Sequence, residues 1–219
     1  MDKNLKQILE EAKENILAHL KKIVTTNSFD YRTFGTDIEQ YISEVLIDVF
    51  TGNGLIKSNN DYFLAPDKNY FPDFELKTKT PLALEFKSGN RSKLSKGKWG
   101  KCENSNNDMG TLRSWPDKLK KFGGENIYYV FVIYNFNNNI KEVLDVQIKP
   151  FYKFIGLNKD GMLKYREKDG NLRPKNFYES SPVKNFEQFV NLFKKTVIYR
   201  SKRIIKGHQL IVRKAEEEI

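Results

Sequence analysis

Apolar residues follow several distinct rhythms along the chain. Leu5, Ile8, Leu9, Ala12, Ile16, Leu20 and Ile23 recur every three or four positions. That spacing puts them on one helical face and predicts an amphipathic helix over 3–23. After a polar break at 25–30, Ile38, Tyr41, Ile42, Val45, Leu46 and Val49 form a sharper stripe. Thr36 or Asp37 is placed to cap this second helix and Gly52 to end it. The period then drops to two, with short extended runs near 62–65, 71–77 and 82–87. "PDKN" and "TKTP" break them apart.

Residues 88–111 are polar with few apolar anchors, and a connection of that length inside a domain is usually functional or mobile. "SWPDKLKKFGG" predicts a short helix, with Ser114 capping and Gly123 stopping it. "NIYYVFVIYNF" is the strongest candidate for a buried strand, and "NNN" turns it into a second strand, "IKEVLDVQI". In the last third "KPFYKFIGL" suggests a helical turn, and a hairpin is expected around Asp169-Gly170. A helix resumes through Phe186, Phe189, Val190 and Phe193. No repeat and no linker interrupts this order. The expectation is one mixed α/β (α+β) domain over 1–219, its central β-sheet flanked by helices.

Composition adds a partner. The chain has 219 residues, 39% hydrophobic and 13% aromatic, which suits a packed domain and not wholesale disorder. Lys and Arg number 38 against 28 Asp and Glu, a net charge of +10. Such a balance suits a polyanion, either nucleic acid or an anionic membrane surface, unless it only keeps the surface soluble. No apolar run is long enough to span a bilayer, and the start has no signal-peptide pattern, so a cytoplasmic location is expected. Cys102 is the only cysteine, which excludes an internal disulfide and a Cys-rich zinc site. His19 and His208 are the only histidines, little material for histidine-based hydrolysis.

The chemistry concentrates in "YFPDFELKTKTPLALEFKSGN", residues 70–90. Strand geometry sends Asp73, Glu75 and Lys77 to one side, with Phe74 and Leu76 on the other. Likewise Ala83, Glu85 and Lys87 oppose Leu82, Leu84 and Phe86. A short hairpin would bring Asp73, Glu85 and Lys87 onto one face, where isolated charges are costly unless something pairs with them. Two carboxylates with open coordination positions suit Mg²⁺, and the Phe86 main-chain carbonyl offers a third oxygen. Such an ion activates both a phosphate and a water, while Lys87 holds the nucleophile or neutralises charge on the phosphate.

These residues resemble the signature of the PD-(D/E)XK nuclease superfamily. Pro72-Asp73 supplies the first half, eleven residues intervene, and Glu85-Phe86-Lys87 supplies the second. The resemblance implies a restriction-endonuclease-like core at about 36–148, running helix, three strands, helix, strand, with the acids on the second and third strands. Many members carry a glutamate on the helix before the sheet. In "GTDIEQYI" Glu39 fills that slot, as a catalytic partner by resemblance or as a solvated helix flank. A second register also fits, with Pro66-Asp67 and Glu75-Leu76-Lys77, but it leaves Glu85 and Lys87 unexplained. The size and the elaborations after the core look most like a type II restriction endonuclease. That implies Mg²⁺-dependent, site-specific hydrolysis of double-stranded DNA by a homodimer. A Holliday-junction resolvase of the same fold and a DNA-binding protein without catalysis are the alternatives.

Candidate DNA contacts surround this core. Lys93, Lys96, Lys98 and Lys101, with Arg113, Lys118, Lys120 and Lys121, are close in sequence to the proposed site and suit phosphates. Asn104, Asn106 and Asn107 have side chains able to pair with adenine edges. Arg166, Lys168, Arg173 and Lys175 lie on the expected hairpin, where an arginine can form the bidentate guanine contact. The first helix serves either a dimer interface or the core.

Overall fold

The computed structural model describes residues 3–30, 32–67, 70–93, 98–102, 107–137, 140–175 and 182–217. A long helix α1 (Lys3–Thr26), a single turn α2 (Phe34–Asp37) and α3 (Glu39–Gly52) precede the strands β1 (Tyr62–Leu64), β2 (Phe74–Leu76) and β3 (Leu82–Lys93). Then come β4 (Trp99–Cys102), α4 (Trp115–Phe122), β5 (Ile127–Asn137), β6 (Ile140–Pro150) and α5 (Phe186–Glu217).

The sheet order is β1-β2-β3-β5-β6, with β4 pairing the far end of β3. Among the described strands, β3 and β5 run parallel and the remaining pairs are antiparallel. A parallel pair needs a long crossover, and the connection carrying α4 supplies it. Each sheet face has its own core. Leu82, Leu84 and Phe86 of β3 join Tyr128, Val130 and Val132 of β5 beneath α1 and α3. Ala83 joins Tyr129, Phe131 and Ile133 on the other face, under Trp115 of α4 and Phe189 of α5. Both faces of β5 are therefore buried, which is why it reads as an unbroken apolar run.

The helices over 3–23 and 38–49 and the strands flanking "NNN" form as expected, and the central sheet is mixed with helices on both faces. Four expectations change. The run at 71–77 narrows to three paired residues, whereas β3 extends to Lys93 because it continues along β5 as far as Asn90. The polar stretch 88–111 is thus not one loop, since β3 and β4 hold its described first half. Neither Thr36 nor Asp37 caps α3. The chain already turns at 34–37, with Thr33 at the N-cap of that turn and its hydroxyl 2.7 Å from Asp37. Around Asp169-Gly170 the hairpin forms as an isolated bridge, Tyr165 to Leu172, not as continuous strands, and a second bridge, Leu157 to Leu163, closes the preceding turn.

Candidate active site

The site lies where β2 parts from β3. Register pairs Phe74 with Leu84 and Glu75 with Ala83, so one step outward Asp73 comes level with Glu85. There the strand partner ends, and the main-chain N–H of Phe86 is satisfied instead by the Asp73 carboxylate. Carbonyl and N–H of one strand residue point to the same edge, so the Phe86 carbonyl faces Asp73 as well. The Asp73 carbonyl in turn accepts the Ala65 N–H at 3.0 Å, tying the acid to the β1 side.

One residue along β3, the Lys87 ammonium lies 2.6 Å from Glu85 Oε1. Both side chains are largely enclosed, at 20% and 12% exposure. Glu85 Oε2 is buried and has no hydrogen-bond partner among the described residues. Glu39 opens α3 and is half-buried. It lines a groove with Asp73, Phe86, Ser43, Leu64 and Asp67, and a second opening with Lys87, Arg32 and Asn107.

Electrostatics link the four groups. Burial, then the charge of Glu85, push Asp73 up to about 7, against the pull of Lys87 and the Phe86 N–H. Burial raises Glu39, with Lys87 opposing and Glu85 adding to it. Burial alone would lower Lys87, but Glu85 and Asp73 outweigh it and hold its ammonium above the ordinary lysine value. The site therefore holds an excess of carboxylate charge that one ammonium does not neutralise.

That imbalance, with the orphaned Glu85 oxygen, fits a hard divalent cation. The set consists of Asp73, Glu85 and the Phe86 carbonyl. Among the described residues no three His, Cys, Asp or Glu side chains gather closely enough to enclose a metal. Water and phosphate oxygens would complete the shell, as Mg²⁺ commonly requires.

The other register is scattered. Glu75 is 9% exposed and pairs with Lys121 of α4 at 2.7 Å. Lys77 points toward the Phe63 ring, and Asp67 is exposed.

The basic residues divide into several groups. Lys98, Arg113 and Lys168 are exposed. Arg166 binds Asp169 and lies 3.1 Å from Asp108, and Arg173 lies 2.8 Å from the same Asp108. Asn107 donates to the Ser88 carbonyl at 2.8 Å. Lys175 is half-buried. Lys93 and Lys101 stand on β3 and β4 with side chains outside the described part, and Lys96, Asn104 and Asn106 lie outside the described residues.

Two residues beside the site lacked a clear sequence signal. Arg32 is isolated in the polar break before α2, yet it lines the opening with Lys87 and Glu39. Lys118 looked like any member of a lysine run, but its ammonium is 3.4 Å from the centroid of the Phe71 ring. The first relation follows from the packing of the α2–α3 segment against β3, the second from the docking of α4.

One solved structure that the chain resembles is the NlaIV restriction endonuclease, with a TM-score of 0.53 and 18% identity. The match covers 79% of this chain and 67% of that one. The fold is restriction-endonuclease-like. No protein-family model and no curated protein matches the sequence. Asp73 stands immediately before β2, one residue short of the strand on which it was expected, and Glu85 lies within β3. No described helix is long and apolar enough to cross a membrane.

Proposed function

We propose that this protein is a Mg²⁺-dependent deoxyribonuclease of the PD-(D/E)XK type, acting as a type II restriction endonuclease on double-stranded DNA. The observation that carries the reading is the meeting of Asp73, Glu85 and Lys87 at one sheet edge, with a Glu85 oxygen left unsatisfied. Asp73, Glu85 and the Phe86 carbonyl would hold Mg²⁺, which supplies Lewis-acid activation of the phosphate and of the attacking water.

The chain's own groups do the rest. Glu85 fixes the Lys87 ammonium through their 2.6 Å contact, so that it sits ready to neutralise charge developing on the phosphate oxygens. The Phe86 N–H orients Asp73, and Glu39 is positioned to steer a water from the α3 side. Lys98, Arg113 and Lys168 are exposed cations suited to the flanking phosphates, with Lys93, Lys96 and Lys101 completing the set. Asn104, Asn106 and Asn107, together with Arg166, Arg173 and Lys175, are the proposed base-reading groups. The working unit is a homodimer, since two strands of a symmetric site call for two equivalent centres.

Incubation of the purified protein with plasmid DNA and Mg²⁺, followed by sequencing of the ends, tests this directly. Discrete ends are expected, and Asp73→Ala should abolish cutting while DNA binding persists. Cutting only at junctions would make the enzyme a resolvase. Binding without any cutting would reduce it to a DNA-binding protein.

A further inference from the structure

Helix α4 is clamped against the sheet at three points. Trp115 is fully buried and stacks on Phe151 at 4.1 Å, Phe122 meets the Phe71 ring at 6.0 Å, and Lys121 pairs with Glu75 at 2.7 Å. Residues three apart on a helix share a face. Lys118, one turn before Lys121, is therefore aimed at the same sheet edge. Its ammonium sits 3.4 Å from the Phe71 ring centroid and 5.4 Å from that of Trp115. Phe71 precedes Asp73 by two residues, so the aromatic box stands beside the carboxylates.

The three lysines of this region differ in one respect. Lys87 is matched by Glu85 and Lys121 by Glu75. Among the described residues, Lys118 has neither a carboxylate partner nor a hydrogen-bond acceptor. Ring faces hold an ammonium in place without consuming its N–H donors. Its electrostatic neighbours are Lys87, Asp73 and Glu85, and burial lowers it to about 8, with Lys87 adding to that fall and the two acids opposing it. It remains mostly charged at neutral pH. A held cation with three free donors beside metal-binding carboxylates calls for an oxyanion.

We propose that Lys118 is a second catalytic lysine, contacting a non-bridging oxygen of the scissile phosphate from the α4 side of the sheet edge, across from Glu39. This rests on the nuclease reading above. Lys87 and Lys118 then approach the phosphate from different elements, and the charge that develops on it in the transition state is shared between two ammonium groups.

The test compares wild type, Lys118→Met and Lys118→Arg in single-turnover cleavage of a plasmid with Mg²⁺, at saturating protein, alongside duplex binding measured in EDTA. Methionine keeps an unbranched apolar stem in the aromatic box and removes only the charge. Lys118→Met is expected to cut roughly 100-fold more slowly, the loss typical of one transition-state donor. Duplex affinity should stay within about threefold, and Lys118→Arg should recover at least tenfold of the rate. A second readout uses unmutated protein: amine acylation mapped by mass spectrometry should label Lys118 in free protein and spare it when duplex is bound. Lys118→Met cutting at the wild-type rate, or unchanged labelling with duplex bound, overturns the assignment while leaving the nuclease reading intact. A wild-type protein that cuts nothing overturns both.

Discussion

The carboxylate of Asp73 takes the main-chain N–H of Phe86, so the first acid of the site is bonded to the strand that carries the second. This bond stabilises the ionised carboxylate, yet burial and the charge of Glu85 more than offset it and bring Asp73 to about 7, from an ordinary value of 3.8. The direction fixes a stability profile. Between those two values the folded protein retains a proton that the unfolded chain has released. Its contribution to stability is therefore fully present below about pH 4 and lost as pH rises to about 7.

Metal-free Asp73→Asn lacks this loss, because an amide stays neutral and can still accept the Phe86 N–H. The variant is expected to match wild type near pH 4 and to exceed it at pH 8 by on the order of 1–3 kcal/mol. Urea melts of both proteins in EDTA at the two pH values check it. A wild type whose stability relative to the variant is independent of pH would show that Asp73 titrates in the folded protein as it does in the unfolded chain. Such an outcome would remove the charge frustration on which the metal reading depends.

The pairing of Lys121 with Glu75 calls for a different experiment. The Glu75 side chain is 11% exposed and that of Lys121 49%, so the acid is enclosed while its partner reaches out to water. Deleting the cation leaves a buried carboxylate uncompensated, whereas deleting the charge of the acid leaves only a solvated amine. Lys121→Met should therefore destabilise by about 1–2 kcal/mol, discounted for the solvent-facing side of the pair, and Glu75→Gln by less. Denaturant midpoints read the asymmetry, and equal losses would contradict it. Because the pair pins α4 beside Lys118, Lys121→Met should also slow cleavage more than its stability loss accounts for.

The parts of the site that were legible in the sequence are those set by local geometry. Asp73, Glu85 and Lys87 are brought together by strand alternation and a short connection, and both operate within 15 residues of chain. The helical stripes of α1 and α3 and the double-faced apolar run of β5 follow from equally local periods. Lys118 was not legible as a site residue, because nothing local distinguishes it from Lys120. Its position depends on Trp115 stacking on Phe151, a contact between elements separated by all of β5 and β6. Asp108 likewise stands 58 residues from the Arg166 it meets and was invisible as a partner of the arginines. The extension of β3 was missed because its later residues are polar and one edge faces β4, so no apolar alternation marks them as strand.

The last helix bears on the proposed homodimer. Up to Val197, α5 buries its apolar side against the core beneath Trp115 and Phe151. Beyond that, Ile198, Ile205 and Val212 recur every seven residues with Ile204 and Ile211 beside them, a spacing that keeps one seam on a helix. These side chains are exposed, at 55%, 57% and 65% for Ile198, Ile205 and Ile211. A contiguous exposed apolar run of this kind marks an interaction surface. Helix α1 is a poorer candidate for the dimer seat, since Ile8, Ala12, Ile16 and Leu20 are already buried in the core. Apposed antiparallel to its own copy, α5 matches Ile204 and Ile205 with Ile211 and Val212. It also sets the acidic end at Glu216 against the basic stretch around Lys202. The double variant Ile205→Glu/Ile211→Glu should then sediment as a monomer at micromolar concentrations where wild type is expected to be a dimer, with the fold of each subunit intact because the stripe is exposed among the described residues. Its plasmid products should shift from linear toward nicked circles, since one centre cuts one strand. A wild type that sediments as a monomer yet linearises plasmid in one step would remove α5 as the dimer seat and leave the stripe to another partner, an anionic membrane surface among them.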